Sequence, residues 1–364
     1  MDIGIPKEIR SREHRVGLTP SAVKALVQLG HRVFVETGAG VYAGHGDDDY
    51  ERAGAKIAFS RAEAYGRAET VVSIFPPEPR EYGLLVPGQT LLAFWALPLA
   101  HRDDLRQLVE KQVTAIGLEA IEDDDGQAPV LTSMSEIAGT LAVTVGGGLL
   151  LNEFGGKGIV LCGAPGVPPA NMVIFGAGVL GRAAARAAIN AGANVTLLDV
   201  SVTHLREAIR DLGGPTTTYV ATRPNVEKTL AFADLVLGAV AVHGQRAPIL
   251  VTREMLRLMK PRSVVLDLSI DMGGCFETSR PTSFPQPTYE VDGILHFCVP
   301  NLPSTAARSA TQALSAALLP YLTRLANAGL DAAVSELRDL RRGLYLHKGA
   351  VVRESLRRAL ESNG

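Results

Sequence analysis

The stretch NMVIFGAGVLGRAAARAAINAGANVTLLDV, residues 171–200, decides the fold of a large part of this chain. An apolar run precedes Gly176-x-Gly178-x-x-Gly181, an alanine-rich helical segment follows, and a second apolar run ends at Asp199. Strand, glycine turn, helix and strand follow one another in this order in dinucleotide-binding βαβ units. The stretch therefore predicts a parallel α/β sheet that holds a dinucleotide at the carboxyl edge of its strands.

Each residue of this motif has its own physical task. Gly176 allows the tight turn, Gly178 lets the backbone approach the pyrophosphate, and Gly181 lets the helix pack on the strand. The helix N-terminus offers amides and a dipole to the phosphates. Asp199 accepts from both ribose hydroxyls and repels an extra phosphate, so the predicted cofactor is NAD rather than NADP. Val179 and Leu180, within the same motif, are predicted to contact the cofactor as well.

Short apolar runs alternate with amphipathic segments on either side of this unit. Strands are predicted at DIGIP, RVFVET, TVVSIF, TLLAFW and VTAIGLE, and later at ADLVLGAV and SVVLDLSI. Helices are predicted at PSAVKALVQLG and HRDDLRQLVEKQ, where apolar residues recur at three- and four-residue spacing. Such alternation favours a largely parallel sheet.

A long connecting helix is predicted at SMSEIAGTLAVTVGGGLLLNEFGG, with Ser133 and Glu136 as a capping box at its start. Its glycines cost stability unless another part of the chain packs closely against them. A helical tail, ARSATQALSAALLPYLTRLANAG, is expected to return to the first domain.

Composition limits the function. The 364 residues carry a net charge of -2, with 20% charged and 46% hydrophobic residues, as in a folded two-domain protein without attraction to nucleic acid or anionic membranes. The N-terminus lacks the apolar core of a signal peptide, and the apolar stretches are short or rich in glycine. Cys162, Cys275 and Cys298 lack metal-binding spacing and are expected as buried thiols in a reducing cytoplasm.

The motifs together resemble the alanine dehydrogenase family, which also includes the NAD-binding subunit of proton-translocating transhydrogenase. IGIPKEIRSREHRVGLTP is similar to the opening signature of the family, TSMSEIAGTLA to the start of its connecting helix, and GVPPANMVIFGAGVLGRAAA to its cofactor motif. Two later stretches are similar to its second signature: APILVTREMLRLMKPRSVVLDLSIDMGGCFETSRPT and YEVDGILHFCVPNLP.

The resemblance implies two doubly wound, Rossmann-like α/β domains with an inter-domain cleft. The substrate domain would comprise residues 1–130 and 305–364, and the NAD-binding domain residues 131–304. It also implies a homo-oligomer, a hexamer or a dimer, and a small amino or imino acid as substrate.

Family roles carry over to single residues. The resemblance implies that Arg15 in HRVGLTP binds the substrate carboxylate, that Asp271 in SIDMGGCF lies near the nicotinamide, and that Asn301 in VPNLP lies close to the cofactor. The resemblance also implies three further contacts with the cofactor, from Ser135, Ala239 and His243.

Two family residues are replaced. Phe75 stands at the position of the substrate-binding lysine, and Pro98 at that of the catalytic histidine. Four residues are predicted to line the substrate pocket: Phe75, Trp95, Pro98 and Met134.

These replacements favour altered chemistry. An acid/base group contributes about 10²- to 10⁴-fold to the rate, and neither phenylalanine nor proline can exchange a proton. The first interpretation is an NAD-dependent dehydrogenase or imine reductase that acts on a bulkier amino or imino acid than alanine. The second is a cyclase or lyase that recycles its NAD, with Asp271, Glu136 or His243 as acid/base group. The third is a non-catalytic NAD-binding protein. His14 is expected to lie at the surface or to support Arg15 without touching the substrate, and His296 is expected to be a core histidine with satisfied hydrogen bonds.

Overall fold

The computed structural model describes residues 1–95, 102–214, 216–241 and 246–361. The chain divides into two compact units. Unit 1 consists of Met1–Met134 together with Ser304–Gly364, and unit 2 consists of Ser135–Pro303. Each unit has its own sheet.

The N-terminal part of unit 1 alternates strands and helices, because buried apolar runs are separated by capped amphipathic segments. Helix α1, for example, begins after Thr19, whose side chain accepts from the amide of Ala22, and has proline in its first turn. The elements are β1 (Asp2–Ile5), α1 (Pro20–Gln28), β2 (Arg32–Glu36), α2 (Asp47–Arg52), β3 (Lys56–Ala58), α3 (Arg61–Gly66), β4 (Thr70–Val72), β5 (Thr90–Ala93), α4 (Arg102–Glu110) and β6 (Thr114–Gly117). Helix α5 (Pro129–Leu149) begins in unit 1 and continues into unit 2, which starts at Ser135.

Unit 2 contains a seven-stranded sheet in the order β12-β13-β11-β10-β7-β8-β9, in which only β12 runs antiparallel to its neighbour. The chain leaves β7 for β8 on one side and later returns to pair β10 on the other side, so the strand order reverses at β7. Its elements are β7 (Asn171–Phe175), α6 (Val179–Asn190), β8 (Asn194–Asp199), α7 (Val202–Leu212), β9 (Thr217–Val220), α8 (Arg223–Leu230), β10 (Leu235–Gly238), α9 (Arg253–Leu256), β11 (Val264–Asp267), β12 (Thr288–Val291) and β13 (Ile294–Phe297).

The returning C-terminal segment completes unit 1. Its elements are α10 (Ala307–Ala328), α11 (Leu330–Glu336), α12 (Arg338–Arg342), β14 (Leu344–His347), β15 (Ala350–Val351) and α13 (Glu354–Glu361). The sheet has the order β15-β14-β6-β5-β4-β1-β2-β3, and β14 and β15 run antiparallel to their neighbours. The sequence did not predict this hairpin, because its strands are too short to show a clear periodicity. The predicted α/β fold with mostly parallel sheets is confirmed.

The connecting helix begins earlier than predicted. Helix α5 starts at Pro129, a residue suited to a first turn, and ends at Leu149. Ser133 therefore lies inside the helix, where its hydroxyl donates to the carbonyl of Val130 at 2.8 Å, and the predicted capping box is wrong. The glycine that packs most closely against backbone is Gly139, since a Cβ there would lie 2.4 Å from the carbonyl oxygen of Leu180.

Among the residues that the structure describes, helix α5 is the one that is long and apolar enough to cross a membrane by length and composition alone. Its 21 residues include a window of mean hydropathy 1.2, of which 39% is buried within the structure. The close contact of Gly139 with α6 gives this apolar surface a packing role inside unit 2. Criteria of length and composition do not distinguish a core helix from a membrane span.

Candidate functional site

The glycine turn after β7 has the geometry that a pyrophosphate requires. Gly176 has φ +106°, and a Cβ on it would lie 2.2 Å from the carbonyl oxygen of Ala239, so both conformation and space demand glycine. A Cβ on Gly181 would lie 1.8 Å from the carbonyl oxygen of Gly176. A Cβ on Gly178, the residue before α6, meets no atom within 4 Å. Gly176 and Gly181 therefore have no room for a side chain, whereas the space beside Gly178 is open.

The cofactor residues next to Gly178 sit on the first turn of α6. Val179 and Leu180 begin the helix, so their amides belong to its unsatisfied N-terminus, which suits an anion. Ser135 lies in α5 one turn before Gly139, which contacts Leu180. Since residues four apart share a helix face, Ser135 lies on the side of α5 that faces this turn.

Asp199 ends β8 and is tied to the glycine turn. One carboxylate oxygen accepts from the amide of Ala177 at 2.7 Å and the other accepts from the amide of Ser201 at 2.7 Å. The ring of His204 lies 3.4 Å from the carboxylate. The side chain is partly exposed beside the turn, so its remaining lone pairs suit ribose hydroxyls.

The strands that follow bring other predicted residues to the same edge. Ala239 follows β10, and its amide donates to the carbonyl of Phe175 at the end of β7. Asp271 lies exposed in a short 3-10 turn after β11. Asn301 follows β13 with φ +57°, a conformation that is uncommon outside glycine. In parallel sheets, ligands bind at this carboxyl edge where the strand order reverses.

A buried carboxylate that the sequence analysis missed shapes the loop that carries Asp271. Asp267, fully buried at the end of β11, accepts from the amide of Cys275 at 2.8 Å and from the hydroxyl of Ser279 at 2.6 Å. It also accepts from the amide of Ser269. The signal was present, because a carboxylate directly after the apolar run SVVL has to be satisfied by nearby donors.

Unit 1 contains a buried ion pair at the residue assigned to the substrate carboxylate. The Nε and Nη2 atoms of Arg15 each donate to one oxygen of Glu13 at 2.8 Å. The Arg15 and Glu13 side chains are only 3% and 1% exposed. The third nitrogen, Nη1, lies 3.3 Å from the sulfur of Met134. This bidentate pair fixes the guanidinium plane and points Nη1 away from Glu13.

Phe75, at the position where the resemblance implies a lysine, is flanked by two guanidinium groups. The central carbon of Arg10 lies 4.0 Å from the ring centroid, and that of Arg15 lies 6.0 Å from it. The ring is partly buried, and the hydroxyl of Ser73 donates to the carbonyl of Phe75 at 2.8 Å. A cation from position 10 therefore lies against the ring of Phe75. The place of Phe75 in the substrate pocket stays a prediction.

Glu8 adds an acid/base group to the charged residues near Phe75, which are Arg10 and Arg15. Its carboxylate accepts from the amide of Ile74 at 2.6 Å, directly before Phe75. Burial raises the pKa of Glu8 to about 7, and the negative charge of Glu13 adds to this shift against the lowering effects of the Ile74 amide, Arg61 and Arg15. The spacing of charged residues in PKEIRSREHR, directly after a buried strand, was the available signal for Glu8 and Arg10.

Other predicted residues have different surroundings. Trp95 is 5% exposed in a core cluster with Tyr65, Tyr82 and Tyr345, and its amide donates to Glu119. Its place in the substrate pocket stays a prediction. Pro98 and His243 lie outside the described residues.

The remaining histidine and cysteine expectations have mixed outcomes. His296 is buried, with its ring nitrogens next to Thr278 and the carbonyl of Ile294, so its environment is structural. Cys162 is exposed, which differs from the expected burial because it lies in a surface turn, whereas Cys275 and Cys298 are buried. Within the described ranges, no group of three His, Cys, Asp or Glu side chains could hold a metal.

Comparisons with known proteins agree with this geometry. Family models for the N-terminal and C-terminal domains of alanine dehydrogenase/PNT match residues 4–138 and 142–354. The chain belongs to the alanine dehydrogenase/PNT family. An alanine dehydrogenase from Halomonas elongata is 43% identical over 350 residues, which cover 96% of this chain and 94% of that protein.

Solved structures of this family share the fold. A structure of L-alanine dehydrogenase superposes with a TM-score of 0.94 and 42% identity, covering 99% of both chains. A transhydrogenase from Sinorhizobium meliloti superposes with a TM-score of 0.82 and 28% identity, covering 98% of this chain and all of that one. The predicted family and the NAD-dependent oxidoreductase class are confirmed. The oligomeric state, the domain limits and the cytoplasmic location stay predictions.

The residues present fit the NAD that family membership confirms as cofactor. The open space at Gly178 and the free helix N-terminus suit the pyrophosphate, and Asp199 suits the ribose. The preference for NAD over NADP stays a prediction, because it depends on repulsion between Asp199 and a 2′-phosphate.

Replacing Asp199 by alanine is expected to weaken NAD binding about ten- to a hundredfold, since hydrogen bonds to a charged group contribute about 1.5–3 kcal/mol. Asp211→Ala is the matched control, because Asp211 is an exposed aspartate of α7 that forms an ion pair with Arg182 of α6. Fluorescence titration with NADH measures both variants. Equal affinity of Asp199→Ala and the unmodified chain would refute the assignment of this carboxylate to the cofactor.

The raised pKa of Glu8 predicts a pH-dependent stability. Between pH 4.5 and about 7 the folded chain keeps a proton that the unfolded chain loses, so the buried carboxyl lowers the free energy of unfolding as pH rises. Glu8→Gln cannot ionise and still accepts from the amide of Ile74. Above pH 7 it is expected to be more stable than the unmodified chain by about 1–3 kcal/mol.

Denaturant unfolding at pH 5 and pH 8 tests this expectation. Asp292→Asn is a control of opposite sign, because a hydrogen bond from Arg253 is the main cause that holds the pKa of Asp292 down at about 2. This control loses stability where Glu8→Gln gains it. A difference between Glu8→Gln and the unmodified chain that is the same at both pH values would contradict the shift.

Proposed function

We propose that this chain catalyses the NAD-dependent oxidative deamination of a 2-amino acid larger than alanine, and the reverse reductive amination. The observation that carries the proposal is the aromatic ring of Phe75 beside Arg15. The central carbon of Arg15 lies 6.0 Å from the ring centroid, at the position where the family resemblance implies a lysine. An aromatic side chain offers contact area in place of a compact charge.

The overall change converts the amino acid, NAD⁺ and water into the 2-oxo acid, ammonium, NADH and a proton. NAD, when bound, accepts the hydride from carbon 2. Arg15 holds the substrate carboxylate through the nitrogen that faces Met134, and its pairing with Glu13 keeps the guanidinium in place. A bidentate, buried arginine orients the substrate without losing much side-chain freedom on binding.

Proton transfer falls to Glu8. A carboxyl group with a pKa of about 7 is present in both protonation states at neutral pH, which is the range in which acid/base catalysis is most effective. Glu8 accepts the proton that the substrate ammonium loses and passes it to solvent, which is the proton released in the overall equation. After hydride transfer, water adds to the iminium carbon, and both of its protons leave on the ammonium when the carbon–nitrogen bond breaks. In the reverse direction the iminium formed from the 2-oxo acid and ammonia already carries the positive charge, so hydride transfer needs little further acid catalysis.

Alanine is the second candidate substrate. The relatives with 38–43% identity over nearly the whole chain carry the name alanine dehydrogenase. Arg10 also places a cation on Phe75, 4.0 Å from the ring centroid, and this cation restores part of what the replaced lysine would provide. The contact between Arg10 and Phe75 therefore supports alanine as a substrate more strongly than the sequence does, because the sequence shows only a phenylalanine at this position.

Steady-state assays with purified chain and NAD distinguish the two substrates. The panel contains alanine, larger 2-amino acids and cyclic imines, together with the corresponding 2-oxo acids, ammonia and NADH. The proposal predicts a kcat/KM for a larger substrate at least about tenfold above that for alanine, since burying additional CH₂ groups contributes about 0.8 kcal/mol each. Turnover confined to alanine and pyruvate would overturn the larger substrate and establish the second candidate.

A further inference from the structure

The proposed reaction with an amino acid larger than alanine assigns no role to the guanidinium of Arg10 in unit 1. Its central carbon lies 4.0 Å from the centroid of Phe75, within the range of a cation–π contact. The residue is exposed, and among the residues that the structure describes its side chain makes no hydrogen bond and no ion pair. A guanidinium held against a ring keeps its N–H groups for a planar anion.

The second guanidinium at this ring differs from the first in charge balance. Arg15 is bidentate to Glu13, and both side chains are almost completely buried. The positive charge of Arg15 is therefore largely neutralised, whereas that of Arg10 is not. One small molecule beside Phe75 can reach both groups, because they lie 4.0 and 6.0 Å from the same ring centroid.

We infer that Arg10, positioned by Phe75, binds a second carboxylate of the substrate, so that the preferred substrates are 2-amino dicarboxylic acids. The inference rests on the proposed function and specifies its substrate class. The 2-carboxylate pairs with Arg15, and the side-chain carboxylate accepts from Arg10. A single phenylalanine thus positions a second cation near the arginine that is assigned to the 2-carboxylate.

The neighbouring acidic groups are compatible with a dianionic ligand. Glu13 is already neutralised by Arg15, and the carboxylate of Glu8 accepts from the amide of Ile74 at 2.6 Å. Each of these two carboxylates is therefore already paired with a donor.

Steady-state kinetics with NAD test the inference on the full chain. Glutamate and aspartate are compared with glutamine and asparagine, which have nearly the same shape but no side-chain charge. We expect the unmodified chain to prefer the dicarboxylic acids at least about tenfold in kcat/KM, as one charge-assisted hydrogen-bonded pair gives. In Arg10→Leu this preference should fall by about tenfold or more, and Arg10→Lys should restore part of it.

Two further variants separate charge from position. Arg80→Leu removes an exposed arginine that pairs with Glu78, and it should keep the preference for dicarboxylic acids. Phe75→Leu removes the ring under Arg10 and should reduce the preference while Arg10 remains.

The outcomes of this experiment are distinct. Equal use of glutamate and glutamine by the unmodified chain, or an unchanged preference in Arg10→Leu, would overturn the role of Arg10 and leave the proposed dehydrogenase intact. Absence of NADH formation with every amino acid would overturn the proposed function itself, and with it this substrate class.

Discussion

Replacing Gly181 by alanine is expected to destabilise unit 2 by more than about 3 kcal/mol, whereas the same replacement at Gly178 leaves the fold intact. A Cβ at position 181 would lie 1.8 Å from the carbonyl oxygen of Gly176, and the backbone cannot shift far enough to relieve this clash. A Cβ at position 178 meets nothing within 4 Å, and the φ of −70° suits any residue.

The Gly178→Ala variant should lose NAD binding although it folds. Its methyl group occupies the space through which the pyrophosphate approaches the backbone. Denaturant unfolding and NADH fluorescence titration measure the two properties separately. If Gly178→Ala bound NADH as tightly as the unmodified chain, the pyrophosphate would not lie at this turn. If Gly181→Ala were as stable as the unmodified chain, the close contact between Gly181 and the carbonyl of Gly176 would be wrong.

Replacing Glu13 by glutamine is expected to cost about 3–5 kcal/mol of unfolding free energy, because it leaves the buried charge of Arg15 without its carboxylate. The control is Glu227→Gln at the exposed pair with Arg223, where the expected loss is about 0.3–0.5 kcal/mol. Urea unfolding of both variants gives the comparison. Equal losses would show that the Arg15–Glu13 pair is not buried in solution.

A double replacement separates the structural and functional roles of this pair. Changing Glu13 and Arg15 together to leucine removes both charges, so much of the stability should return. Turnover of a carboxylate substrate should not return, because the arginine assigned to that carboxylate is absent. A double variant that folds and keeps its kcat/KM would show that Arg15 is only structural.

The sequence predicted the cofactor unit well because its constraints are local. The turn from Gly176 to Gly181 requires glycine because a side chain has no room at either of these two residues. The acidic residue Asp199 ends the next strand, and the length of that strand brings it beside the turn. The family resemblance also indicated the class of reaction. The start of α5 was missed because Ser133 fits a cap pattern, while Pro129 four residues earlier actually begins the helix.

The arrangement around Phe75 could not be predicted in this way. Arg10 and Phe75 are far apart in sequence, and their contact depends on how the loop after β1 folds over the loop after β4. The resemblance, read one position at a time, therefore predicted the loss of a cation at position 75, and it gave no sign that Arg10 lies against this ring. The raised pKa of Glu8 likewise follows from burial beside Ile74, which no sequence pattern reports.

Transfer of deuterium from a 2-deuterated amino acid to NAD tests the central claim most directly. Glutamate, a larger uncharged amino acid and alanine are used, and the nicotinamide and the products are examined by mass spectrometry. We expect NADH that carries the deuterium, together with one equivalent of 2-oxo acid. Deuterium returned to a deaminated or cyclised product would indicate recycled NAD, and bound NAD without any transfer would indicate a non-catalytic protein; either result would contradict the proposed dehydrogenase.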